Sequence, residues 1–60
     1  MNEYSVYYPI YYNGLKCTWQ RLMDVVAPSE KHAVEMVIQE WGPPKQGFYK
    51  AVRKLNVQEN

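Results

Sequence analysis

An α+β fold, with three strands and one helix in the order β-β-α-β, is what this 60-residue chain predicts from three observations. Two strand-like runs flank an Asn-Gly pair. A single amphipathic run follows, closed by Gly-Pro-Pro. A last apolar run then comes near the C-terminus.

The first strand is read over Tyr4–Tyr12, dense in Tyr, Val and Ile, which suit a pleated, half-buried surface. Asn13-Gly14 supplies the two positive φ angles of a type I′ turn, so LKCTWQRLMDVV pairs back on it as the second strand. A two-residue loop fixes the register, setting Tyr12 opposite Leu15, Ile10 opposite Cys17, Tyr8 opposite Trp19 and Val6 opposite Arg21. One face then carries Tyr4, Val6, Tyr8, Ile10, Tyr12, Leu15, Cys17, Trp19 and Met23, with Arg21 as its polar exception. The other carries Ser5, Tyr7, Pro9, Tyr11, Lys16, Thr18 and Gln20.

Pro28 stops the second strand, and Ser29 is placed to cap a helix over EKHAVEMVIQEW, 30–41. Ala33, Val34, Val37, Ile38 and Trp41 form its apolar stripe, and Glu30 in the first turn suits the helix dipole. Gly42 and Pro43-Pro44 end it. GFYKAVRKLNV, 47–57, reads as the third strand, with a short helix as the alternative because Phe48, Val52 and Leu55 do not alternate cleanly, and Gln58–Asn60 should fray. The helix returns the chain so that this strand runs parallel to the second. It can lie beside the second strand, or beside the first with the first in the middle. Pro9, whose nitrogen points away from the second strand, favours the first strand as an edge, or a bulge at Pro9 if that strand is central.

Sixty residues make one domain, 1–60, with a thin core. The net charge of +1 is far from the basic footprint of a general phosphate binder. No run of 18 apolar residues occurs, so no membrane span is expected, and no secretory leader is read. The lone Cys17 and lone His32 make no disulfide and no zinc set, which points to no metal, no cofactor and a reducing, cytoplasmic setting. Cys17 reads as a core thiol and His32 as a surface residue. The six carboxylates are dispersed, no phosphate loop is present, and a chain this small seldom encloses a ligand-sized pocket, so an enzyme is not expected.

Binding readings remain. Tyr7 and Tyr11 lie on the face the helix does not need, with Lys16 and Gln20, and with Lys50 and Lys54 if the third strand turns them that way. Such a surface suits a protein partner, since tyrosine gives large contact area at small entropic cost. An exposed first-strand edge would also admit a homodimer. The alternative is single-stranded nucleic acid stacked on the same rings.

The junction DVVAPSEKHA, with Val25, Ala27, Ser29 and Ala33 as strand end, cap and first buried helix position, resembles a layout frequent in very small phage and mobile-element accessory proteins, including anti-CRISPR and other anti-defence proteins. That resemblance implies a phage-encoded inhibitor that binds a host protein complex without catalysis, in the host cytoplasm. It carries over no site residue.

Overall fold

The computed structural model describes residues 1–55, the side chains of Lys16 and Cys17 excepted. Strand β1 (Asn2–Tyr12) and strand β2 (Leu15–Ala27) form the hairpin, α1 (Glu30–Trp41) is the helix, and β3 (Lys50–Arg53) completes a sheet of order β2-β1-β3. The expected β-β-α-β order is the observed one. Strand β1 is central, antiparallel to both neighbours, and β3 runs parallel to β2. Val57 and the frayed tail expected at 58–60 lie outside the described residues.

Asn13 at φ 54° and Gly14 at φ 79° make the turn, as the Asn-Gly pair requires. Beyond it the ladder departs from the unbroken register. Strand β2 has 13 residues against 11 in β1, and the two extra ones sit where the register shifts, between Ile10/Tyr11 and Val6/Tyr7. Cys17 and Leu22 are the residues left without an opposite number. Each extra residue reverses which face the following side chains occupy. Between the two shifts, Trp19 is therefore opposite Pro9 and Arg21 opposite Tyr7, on the face away from the helix, while Gln20 is opposite Tyr8. This corrects the expected placement of Trp19, Arg21 and Gln20. After the second shift the original parity returns, with Met23 opposite Val6 and Val25 opposite Tyr4.

Pro9 has its own consequence. Ladder bonds alternate in direction along a strand, so the position of Pro9 directs its missing N–H toward the β3 side. The β1–β3 register stops at Tyr7 opposite Lys50, two residues short of it. Pro9 thus ends the third strand's ladder, and β1 is an edge only beyond that point. A homodimer through the first-strand edge is accordingly blocked over Tyr4–Tyr7, where β3 already pairs.

Helix α1 begins where Ser29 accepts the His32 N–H at 3.2 Å, and it ends at Gly42, whose N–H donates to the Ile38 carbonyl at 2.7 Å. The buried core is Tyr4, Val6, Val25, Ala27, Ala33, Val37 and Tyr49, flanked by Tyr8, Leu22, Met23, Val34 and Ala51. Tyr49 fixes the return from the helix by donating its hydroxyl to the Gly42 carbonyl at 2.7 Å. Twelve helical residues span about 18 Å, whereas the hairpin's 11-residue strand runs about 37 Å. The helix covers the half of the sheet near the chain's start; beyond it the segment around Gly47 lies against Pro9 and Tyr11, and the hairpin turn is left uncovered. Tyr12, expected on the core face, is consequently 62% exposed.

Candidate interaction surface

The six residues singled out on the sequence fall in separate places. Tyr7 and Lys50 meet: the Lys50 ammonium lies 5.9 Å from the Tyr7 ring centre and 4.6 Å from that of Trp19. A cation held over two rings is a compact unit. Lys54 shares the outer face with Lys50, but its ammonium is bound at 3.1 Å to Asp24 and lies 3.7 Å from Glu3. Gln20 is exposed opposite Tyr8. Lys16 pairs with Tyr11 along the backbone, and its side chain lies outside the described residues.

Asp24 is the centre of a polar cluster that sequence reading missed. One of its oxygens accepts the Ser5 hydroxyl at 2.9 Å, the other binds Lys54, and Arg21 stands 3.8 Å away. The Ser5 hydroxyl bond, then the Lys54 bond, hold the Asp24 carboxyl below its ordinary range, and Asp24 in turn raises Lys54. A carboxylate so stabilised is a poor base, and Ser5 is buried, so the pair is a tie rather than a nucleophile and its activator. The unbroken register would set Ser5 opposite Leu22. The two extra residues in β2 bring Asp24 there instead.

Tyr11 sits apart from Tyr7. It is half-buried against the turn at Gly47, where an added Cβ would overlap its hydroxyl and stand 3.2 Å from Pro9 Cγ. With Tyr8, Leu22, Trp41, Pro44 and Tyr49 it lines an open cleft of about 430 Å³ between the helix end and the hairpin. Among the described residues, Lys45 supplies the charge of the cleft and no histidine, cysteine or carboxylate lines it. Trp41 belongs to the helix's apolar stripe yet is 61% exposed, because the stripe runs on past the packed core. Ile38, on the same stripe, is 38% exposed.

The arrangement offers contact area and hydrogen-bonding rims. Among the described residues no three of His, Cys, Asp and Glu come together as metal ligands, and no helix is long and apolar enough to cross a membrane. No protein-family model, curated protein or solved structure matches this chain.

Proposed function

We propose that this chain is a non-catalytic protein-binding module and that its contact surface is the aromatic cleft at the end of α1. One observation carries the reading: Trp41 is 61% exposed at a cleft walled by half-buried Tyr8 and Tyr11. Tryptophan and tyrosine beside a pocket are the residues that dominate binding energy at protein interfaces. On the resemblance of its strand-to-helix junction to small anti-defence proteins, the proposed action is to occlude a host protein complex in the host cytoplasm. Nucleic acid is the less favoured ligand, since Lys50 is held over Tyr7 and Trp19 and Lys54 is held by Asp24 and Glu3.

The test is capture from nuclease-treated host lysate with three baits: the wild-type chain, Trp41→Ala/Tyr11→Ala, and Tyr7→Ala. Circular dichroism checks each fold. The double variant is expected to lose at least about tenfold in affinity for the captured protein, as truncated hot-spot residues do, and Tyr7→Ala to lose little. Equal capture by wild type and a folded double variant would remove the cleft from the binding surface.

A further inference from the structure

The sheet has two outer edges, and they differ in how far they invite another strand. That of β2 is broken at Cys17 and Leu22, and such bulges turn an edge away from further pairing. The register of β3 on β1 is unbroken. Which of its backbone groups are free follows from one hydrogen bond. The Lys54 N–H donates to the Glu3 carbonyl at 2.8 Å, and these two residues continue the β1–β3 register by one step. Directly opposite residues that exchange hydrogen bonds alternate with ones that do not. The backbone groups of Lys54, Val52 and Lys50 therefore point to β1, and those of Arg53 and Ala51 point outward from the sheet.

Apolar side chains flank this edge. Phe48 is 71% exposed, Leu55 80% and Val52 44%. Their exposed area is on the order of 350 Å², under half of the ~800 Å² per partner that a standard interface buries. Backbone and the stems of Lys50 and Arg53 supply further area. With a net charge of +1, two copies repel each other only weakly.

We infer that β3 is the seam of a homodimer, in which a second copy adds its own β3 antiparallel about a twofold axis at Ala51. Residues directly opposite in a sheet share a face, so a twofold axis between identical strands must pass through a single residue position. Charge selects that position. An axis at Val52 would set Lys50 opposite Lys54 of the second copy, and an axis at Lys50 or Arg53 would set a cation opposite itself, each a like-charge pair. An axis at Ala51 sets Lys50 opposite Val52 and Arg53 opposite Tyr49. It also brings the outward backbone groups of the two Ala51 residues face to face, where they exchange hydrogen bonds. The alanine methyl groups lie on the helix face. The result is one continuous six-stranded sheet, and it uses neither Trp41 nor Tyr11, so it stands independently of the cleft.

Sedimentation over a micromolar-to-millimolar concentration range is expected to show the mass rising from 7.1 kDa toward twice that value. Ala51→Pro removes an outward N–H while leaving every β1-directed bond intact. It should weaken association about tenfold or more with unchanged circular dichroism, one donor being lost per copy. Val52→Glu sets a carboxylate opposite Lys50 of the second copy and should tighten association, whereas an axis at Val52 would oppose two carboxylates and weaken it. A wild-type chain that stays monomeric throughout overturns the inference. So does a folded Ala51→Pro that associates like wild type, and so does a weakened Val52→Glu. If Ala51→Pro fails to fold, Val52→Glu and the wild-type mass decide.

Discussion

Asp24 shows how one residue ties together three stretches of chain. Through Ser5, Arg21 and Lys54 it joins β1, β2 and the residue after β3, on the face the helix leaves uncovered. Its carboxyl is held below the ordinary value of 3.8, chiefly by the Ser5 hydroxyl and Lys54. A depressed acid contributes stability that is present above the unfolded value and lost as pH falls through the folded one. Thermal melts should therefore decline below about pH 4, and Asp24→Asn should flatten that decline. An unchanged acid limb in the variant would mean that the cluster does not couple to folding. The raised Lys54 acts at the other end, contributing below 10.5 and losing its effect as pH rises through its folded value. Gly47 is a second single-residue constraint. At φ 76°, and with the Tyr11 hydroxyl where a Cβ would go, Gly47→Ala should cost about 1–2 kcal/mol from the backbone alone. Denaturant titration measures it, and a loss near zero would show that the turn moves freely away from Tyr11.

At the scale of elements, legibility divided by the kind of signal. The helix was readable residue by residue over 30–41, because Ser29, the stripe from Ala33 to Trp41, and Gly42 with two prolines each mark it independently. Ser29→Ala should remove about 1 kcal/mol through the lost bond to the His32 N–H. A melt would show this as a drop of about 4–8 °C. No change would mean that backbone and solvent cap the helix unaided. The Asn-Gly hairpin and the pairing nearest the turn were equally plain. What the sequence does not announce is a bulge, since an extra residue in a strand leaves no composition mark. The uniform register therefore misplaced Trp19, Arg21 and Gln20 and hid the Ser5–Asp24 pair. Arg21 on the presumed core face was the one visible sign that the register slipped. The direction of the Pro9 nitrogen was also legible, but not its result, because a proline can mark an edge or simply end a neighbour's ladder.

For the whole molecule, the governing quantity is the difference in reach between a helix of about 18 Å and a hairpin about twice that length. The core closes at one end, and the helix stripe and the turn-end half of the hairpin carry on beyond it. Trp41, Tyr8 and Leu22 become cleft walls for that reason. Strand parity groups Tyr7 with Tyr11 and leaves no mark of the cleft, whereas the turn at Gly47 separates Tyr11 from the open sheet face.

The two unmatched residues of β2 bear on how such a chain can change over evolutionary time. Removing Cys17, Leu22 or both leaves every remaining opposite pair of the hairpin as it is, since neither has one to lose. Removing any matched residue between them forces the ladder to slide. The ladder therefore tolerates a deletion at these two positions better than at any matched one, and because Leu22 also flanks the core and walls the cleft, shorter relatives of the chain should carry their first gap at Cys17.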